Sequence, residues 1–146
     1  MPIIYLDYNC FQRGFDDHGQ IRIKLEALAC QEIFLMAEEN KVTLIWSFMH
    51  EDENILCPFI DRKIAIKGLS ILCKLSLSPE EEIYKLAKYI QQATRITSKD
   101  AVHLACAVYS KSDFFLSCDD RLIKQSQKLN LQLCCMNPVE YIREVI

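Results

Sequence analysis

The feature that most constrains this chain is the alternation of short apolar runs with longer segments of helical periodicity. The run over residues 3–6 is continuously apolar and rich in β-branched residues, which is typical of a buried strand. Residues 21–41 then repeat apolar side chains at helical spacing. Strands that alternate with helices of ten or more residues form parallel sheets. The order therefore predicts an α/β sandwich with a central, mainly parallel sheet of four to five strands.

The remaining elements follow from the same patterns and from their capping residues. Ser47 is expected to cap a short helix that begins near Phe48, and Ser78 to cap a later one with Pro79 in its first turn. Thr97 or Ser98 is the expected cap of a further helix. The predicted strands are 3–6, 42–46, 113–117 and 131–135, and the later predicted helices are 58–75, 78–93, 97–111, 119–130 and 137–145.

Composition narrows the class of protein. The length of 146 residues fits one domain, and 51% hydrophobic residues can build a substantial core. The net charge of -3 argues against a simple electrostatic nucleic-acid binder, but not against an enzyme whose metal ions supply positive charge. No apolar run approaches ~18 residues and the N-terminus lacks a basic segment, so a cytoplasmic location without a membrane span is expected.

The eight cysteines raise the question of a disulfide framework or a zinc site. No Cys-x-x-Cys pair occurs, and most of the cysteines lie inside apolar runs. We therefore expect reduced thiols that pack as small hydrophobic side chains.

Acidic residues recur where the predicted strands end. Asp7 follows the first strand, Asp119 and Asp120 follow the strand at 113–117, and Asp100 lies in the first turn of the helix that leads into that strand. In a parallel sheet these positions meet at the carboxyl edge, where sites of α/β proteins lie. Clustered carboxylates repel unless a cation neutralises them, and oxygen ligands favour Mg²⁺ or Mn²⁺ over zinc.

Each acid also has a purely structural interpretation. Asp7 is a suitable cap for the turn that follows it, and either Asp119 or Asp120 is a suitable cap for the next helix. Asp100 would favour the helix dipole, and the acids at 51–53 would suit a solvated helix face. The convergence of several acids on one edge favours the metal-site hypothesis over these separate explanations.

Three segments resemble a known family. The runs "IYLDYNCF", "TSKDAVHLACAVYSKSDFFLSCDDRLIK" and "NPVEYIREV" look like a PIN domain of the VapC-like type, in order along nearly the whole chain. Within that resemblance a glutamate follows the second strand by some six residues, and counting from Ser47 reaches Glu53, with Glu51 as the runner-up. Side chains two apart on a helix point in different directions, so only one of the two glutamates can face the site.

The resemblance implies a metal-dependent ribonuclease that cleaves single-stranded RNA, the toxin of a toxin–antitoxin pair, with a small antitoxin protein as partner and a homodimeric state. It assigns the catalytic and metal-binding roles to Asp7, Glu53, Asp100 and Asp119. Asn9 and Ser117 are expected to support those carboxylates through hydrogen bonds, and Asp120 is expected to hold a water on the metal or only to cap the helix that follows. His103 lies one turn after Asp100 and is expected to be a structural histidine.

Two other functions fit the same sequence. One is a PIN-like module that has lost activity and serves only in binding. The other is a doubly wound phosphatase with Asp7 as nucleophile, although such chemistry usually uses an Asp-x-Asp pair where this chain has "DYN". Lys99 is the obvious basic residue near the expected edge for that second function.

Overall fold

A computed structural model describes residues 1–145, and its centre is a five-stranded sheet in which every neighbouring pair is parallel. The strands are β1 (Ile3–Leu6), β2 (Thr43–Ser47), β3 (Leu75–Leu77), β4 (Phe114–Leu116) and β5 (Cys134–Met136). Their order across the sheet is β3-β2-β1-β4-β5, so the first strand of the chain lies in the middle. The prediction of a mainly parallel α/β sheet is confirmed.

Helices follow or precede each strand and cover both faces of the sheet. They are α1 (Tyr8–Gln12), α2 (Ile21–Glu38), α3 (Phe48–Ile55), α4 (Ile60–Leu69), α5 (Glu81–Ala93), α6 (Ser98–Tyr109), α7 (Asp120–Ser126) and α8 (Pro138–Val145), with single 3₁₀ turns at Arg13–Phe15 and Ser70–Leu72. No helix in residues 1–145 has the length and apolar composition needed to cross a membrane.

Successive side chains of the central strand enter two different cores. Ile4 and Leu6 pack on the face covered by α1, α2 and α8, where Ile33 is fully buried. Tyr5 points to the opposite face and packs with Ile83 of α5, among residues of α5 and α6. Alternation across the strand places neighbouring residues on opposite faces. Because both faces are covered, the strand reads as one continuous apolar run.

The strand β3 is not among the four strands that the sequence pattern locates, because it continues an apparent helix. The helical pattern over 58–75 breaks after Leu69, passes through the 3₁₀ turn, and ends in an extended segment in which Leu75 pairs with Ile45 of β2. This edge strand has only three residues and its first two are exposed, so it shows neither a buried apolar run nor a clear alternation. The segment predicted as one helix therefore contains a helix, a 3₁₀ turn and the start of a strand.

The cap of α5 also differs from the prediction. The helix begins at Glu81, and Glu80 occupies the capping position in an extended conformation without a side-chain cap bond, so Ser78 is not the cap. The other two predictions are confirmed. Ser47 caps α3 by accepting a hydrogen bond from the backbone of His50, and Thr97 caps α6.

Candidate active site

A pocket at the carboxyl edge of the sheet collects the four acids that the sequence singled out. Asp7 follows β1, Asp119 follows β4, Asp100 lies in the first turn of α6 and Glu53 lies on α3, and all four line the same pocket. This edge is where the ends of parallel strands meet. The structure thus brings together residues that are as far as 112 positions apart in the chain.

Asp7 is the most enclosed of these acids, with 5% of its surface exposed. Its Oδ2 accepts hydrogen bonds from Ser117 Oγ at 2.7 Å and from Asn9 Nδ2 at 3.2 Å. Asp7 stands at the start of α1, yet its side chain makes no capping hydrogen bond there. The capping interpretation of Asp7 is therefore wrong, and the carboxylate is oriented across the sheet edge instead.

Burial raises the pKa of the Asp7 carboxyl from 3.8 to about 6. That value includes the charge of His103 and the hydrogen bond from Ser117, which lower the pKa, and the smaller effects of the carboxylates of Asp100 and Glu53, which raise it. The ionised form of Asp7 is therefore disfavoured chiefly because it is buried, and the neighbouring acids add to that cost. A cation bound beside these carboxylates would offset that cost.

Ser117 couples the ends of β1 and β4. Its hydroxyl donates to Asp7 and accepts from the backbone N–H of Asp119 at 3.0 Å. The amide of Asn9 bridges the same two segments, because Nδ2 also donates to Ser117 Oγ and Oδ1 accepts from the backbone of Cys118 at 3.2 Å. Asn9 and Ser117 thus make the contacts expected of groups that hold Asp7 in place.

Asp119 serves two purposes at once. Its Oδ1 accepts from the backbone N–H groups of Arg121 at 2.9 Å and Leu122 at 3.2 Å, which caps α7. The side chain also lines the acidic pocket. The capping interpretation is therefore confirmed, and it is compatible with the predicted site role, since a carboxylate has a second oxygen.

Asp100 lies between the acidic pocket and a neighbouring cavity, and it lines both. Burial raises the pKa of its carboxyl, the hydroxyl of Thr97 lowers that pKa, and the charge of Asp119 raises it. The influence of Asp119 on Asp100 is a further sign that the two carboxylates face each other across a small space.

The structure distinguishes Glu53 from Glu51. Glu53 lines the acidic pocket, and its Oε2 lies 3.6 Å from Lys99 Nζ. Glu51 instead accepts from Trp46 Nε1 at 2.8 Å and pairs with Lys67 at 2.7 Å, away from the other acids. Two positions along α3 rotate a side chain by about 200°, so only one of these glutamates can face the pocket.

Behind Glu53 lies a chain of buried hydrogen bonds. His103 is fully buried and bonds through Nε2 to Glu53 Oε1, and its Nδ1 lies 2.6 Å from the Tyr5 hydroxyl. That hydroxyl in turn lies 2.7 Å from Ser47 Oγ, at the end of β2. Buried polar groups of this kind stabilise the site only while every partner is present. His103 is thus a structural residue that fixes the position of Glu53.

These hydrogen bonds continue through a second buried histidine, His50, which no sequence motif singles out. His50 accepts the backbone N–H of Ser47 at Nδ1, at 2.9 Å, and its Nε2 lies 2.6 Å from the carbonyl oxygen of Leu6. With Nδ1 accepting, Nε2 is the donor and the ring is neutral. Burial lowers the pKa of His50 well below its usual value, which agrees with a neutral ring. The only sequence signal was a polar residue close after a strand.

Asp120 lies elsewhere. Its carboxylate accepts two hydrogen bonds from the guanidinium of Arg22 on α2, at 2.7 and 2.8 Å, and within residues 1–145 it is not among the groups that line the acidic pocket. The expectation that Asp120 supports the metal site is therefore not what the structure shows. An ion pair across 98 positions gives no local signal in the sequence.

Three of the thiols converge next to the site. The Sγ atoms of Cys10, Cys30 and Cys118 all lie within 4.8 Å of one another, and all three residues are buried. They pack α1, α2 and the segment after β4 together, directly behind Asn9 and Asp119. Burial of this kind fits the expected small hydrophobic role, although sequence spacing alone did not reveal that the three thiols meet.

The four carboxylates suit a hard divalent cation in their chemistry and in their charge. Carboxylate oxygens are the ligands that Mg²⁺ and Mn²⁺ prefer, and the pKa values of Asp7 and Asp100 are raised mainly by burial, with a smaller contribution from the neighbouring carboxylates. Within residues 1–145, no three of these carboxylates have oxygens within 4.8 Å of one another. That spacing agrees with the habit of Mg²⁺ of keeping several waters and binding one or two carboxylates directly.

Comparison with solved structures identifies the fold. A crystal structure described as VapBC2 from Rickettsia felis, bound to a DNA fragment from their promoter, superposes with a TM-score of 0.64. The match covers 92% of this chain and 98% of the other, at 11% sequence identity. The fold is PIN-like. No protein-family model and no curated protein matches the sequence, so the likeness to this neighbour is one of fold.

Proposed function

We propose that this protein is a metal-dependent ribonuclease that hydrolyses phosphodiester bonds in single-stranded RNA. The observation that carries the proposal is the convergence of Asp7, Glu53, Asp100 and Asp119 on one pocket at the carboxyl edge of a parallel sheet. The PIN-like fold supports it, as do the PIN-like motifs around Asp7 and between Lys99 and Asp119. The choice of RNA as substrate rests on the resemblance to VapC-like proteins.

Asp7, Asp100, Asp119 and Glu53 would hold Mg²⁺ or Mn²⁺, directly or through bound water. When bound, the ion lowers the pKa of a water ligand and neutralises charge on the phosphate that is cleaved. Asn9 and Ser117 keep Asp7 in position through hydrogen bonds, and His103 does the same for Glu53. These contacts orient the carboxylates before substrate arrives, which is what preorganised sites require.

Asp100 is the proposed acceptor of the proton from the attacking water. Both Asp100 and Asp119 line the pocket, but one oxygen of Asp119 already accepts two backbone hydrogen bonds. The pKa of Asp100 is raised by burial, and a higher pKa makes a carboxylate a better base at neutral pH. In the reaction the oxygen of water would form a new bond to phosphorus and pass its proton to Asp100, while the bond to the leaving oxygen breaks and that oxygen takes a proton from solvent.

The direct test is cleavage by the purified protein. Fluorescently labelled single-stranded RNA of mixed sequence should be cut in Mg²⁺ or Mn²⁺, and EDTA should stop the reaction because the carboxylates alone cannot activate water. A chromogenic phosphomonoester should remain intact, which separates this function from that of a phosphatase. Cleavage that persists in EDTA would contradict the mechanism, and hydrolysis of the phosphomonoester alone would favour the phosphatase.

We further propose that the protein acts as a toxin controlled by a small antitoxin, and that it forms a homodimer. Exposed apolar side chains cluster beside the pocket, on α3, α4 and the turn between them. The exposed residues are Ile55, Leu56, Phe59, Ile60 and Ile64. Apolar patches of this kind on a folded domain usually mark a surface that another chain covers.

The dimer prediction can be tested on the protein alone. Light scattering at tens of micromolar should give twice the mass of the chain, and Ile60→Glu should shift the mass toward the monomer because a charge would be buried in the interface. Tyr89→Glu, on the exposed face of α5, is the matched control and should leave the mass unchanged. A monomeric wild type would contradict the homodimer and would leave the apolar cluster to a different protein.

A further inference from the structure

Beside the acidic pocket lies a second cavity that joins it through shared walls. Asp100 and Asp119 line both cavities, so a molecule bound at the acids also borders the second space. Two arginines, Arg95 and Arg121, line this second cavity together with Thr97 and Gln125. The whole chain carries a net charge of -3, so the two arginines are a local concentration of positive charge beside the acidic pocket.

The two arginines are held at the cavity by their backbones. The N–H of Arg95, just beyond the end of α5, donates to the side chain of Gln125 on α7 at 3.1 Å. The N–H of Arg121 donates to Asp119, one of the four site acids, at 2.9 Å. Each arginine is thus tied to α7, the helix that follows the carboxyl end of β4.

Their guanidinium groups, in contrast, have no partner within residues 1–145. Arg13, Arg22 and Arg62 each form ion pairs with carboxylates. Arg95 and Arg121 form neither an ion pair nor a side-chain hydrogen bond among the described residues, although Asp100 and Asp119 line the same cavity. Two exposed, unpaired guanidinium groups beside a pocket of acids are available to an anionic ligand.

The groups that line the cavity favour a phosphate as the anionic ligand. A guanidinium group presents a planar fork of donors that matches the oxygens of a phosphate. The cavity also borders the N-terminal turn of α6, where Thr97 is the cap and the backbone dipole is positive. The acidic pocket is also lined by Met49, Leu56 and Pro58, which do not line the second cavity and form an apolar wall that suits a sugar or base better than a phosphate.

We propose that Arg95 and Arg121 form a subsite that binds the backbone phosphate next to the one that is cleaved. The inference rests on the proposed ribonuclease function, and it defines the path of the nucleic-acid strand across the site. The nucleic-acid strand enters with a phosphate between the two arginines, presents the neighbouring phosphate to the four carboxylates, and places the following nucleoside against the apolar wall. Arg95 and Arg121 are binding residues that position the substrate for hydrolysis.

Binding and cleavage should respond to the arginines in a specific way. In the Glu53→Gln background, in which cleavage is expected to be about a hundredfold slower, fluorescence anisotropy would measure the affinity for a labelled single-stranded RNA across a range of salt concentrations in Mg²⁺. Arg95→Ala and Arg121→Ala should each weaken binding by roughly tenfold and make the slope of log affinity against log salt shallower by about 0.7. Arg143→Ala, an exposed arginine on α8 away from both cavities, is the matched control and should change neither.

Removing the charge of single phosphates in the RNA would locate the subsite. RNA oligonucleotides that carry a methylphosphonate at one position at a time should show one position, adjacent to the cleavage site, at which loss of the charge weakens binding. The same substitution should have little further effect on the Arg95→Ala/Arg121→Ala double variant. An unchanged salt slope in both single variants would overturn the subsite while leaving the ribonuclease proposal intact. If the protein neither bound nor cut any single-stranded RNA, both proposals would fail together.

Discussion

Replacing Asp7 by asparagine should reduce metal-dependent cleavage of RNA by roughly a hundredfold or more, and should also make the metal-free protein more stable at neutral pH. The loss of activity is expected because the substitution removes a full negative charge from the site proposed to hold a cation, where a bound ion would supply several kcal/mol of transition-state stabilisation. The local contacts should survive, because an amide oxygen can still accept the hydrogen bonds from Ser117 and Asn9.

The gain in stability follows from the pKa of Asp7. This pKa is raised from 3.8 to about 6 in the folded protein, so between those values the folded state binds more protons than the unfolded state. The free energy of unfolding therefore falls as the pH rises from about 4 to about 6, and the deficit persists at higher pH. At about 1.4 kcal/mol for each pH unit, it reaches roughly 3 kcal/mol.

Denaturant titrations in EDTA at a series of pH values would measure this effect. The wild type should lose stability across that window, and Asp7→Asn should show a flatter profile and a higher free energy of unfolding at pH 7. Asp61→Asn, an exposed acid in the first turn of α4, is the control and should follow the wild type in both cleavage and pH dependence. A destabilised Asp7→Asn protein at neutral pH would show that burial among other acids does not penalise the ionised form of Asp7.

The second large effect distinguishes two glutamates on one helix. Glu53→Gln should lose cleavage by about a hundredfold, since Glu53 lines the pocket while the amide keeps an acceptor for His103. Glu51→Gln should retain most activity, because it gives up an exposed pair with Lys67 that contributes at most about 1 kcal/mol to stability. Initial rates on the same labelled RNA, with unfolding midpoints to show that both variants fold, would measure the difference. The reverse order of activities would place Glu51 at the reaction centre.

Much of the site was predictable because the end of a strand can be recognised locally, and parallel pairing brings such ends together at one edge of the sheet. Once "IIYL" and "FFLS" are recognised as parallel strands, Asp7 and Asp119 must come together at one edge, as they do. Asp100 follows from its position in the helix that precedes the second of these strands. Glu53 required the family resemblance, since the acids at 51–53 have equal chemistry and only the rotation of α3 separates them.

What the sequence did not reveal depends on contacts between distant segments. Asp120 has the same local setting as Asp119, yet its side chain pairs with Arg22 on α2, and no periodic pattern reports such a contact. The short strand β3 after α4 could not be recognised in the sequence, because it has only three residues, two of them exposed, and so shows almost no periodicity. Ser78 matched the preferences of a helix cap, but the extended backbone of Glu80 moved the start of the helix beyond its reach.

The central place of β1 in the sheet has a consequence for synthesis. Asp7 is made 110 positions before the Ser117 hydroxyl that holds it, and β1 lacks its β4 neighbour until that later segment has been made. A nascent chain therefore carries one acid of the pocket long before it can carry the others in place. A site built in this order can assemble only after the segment that carries Ser117 and Asp119 has been made, so a nascent chain that stops short of β4 would lack the pocket.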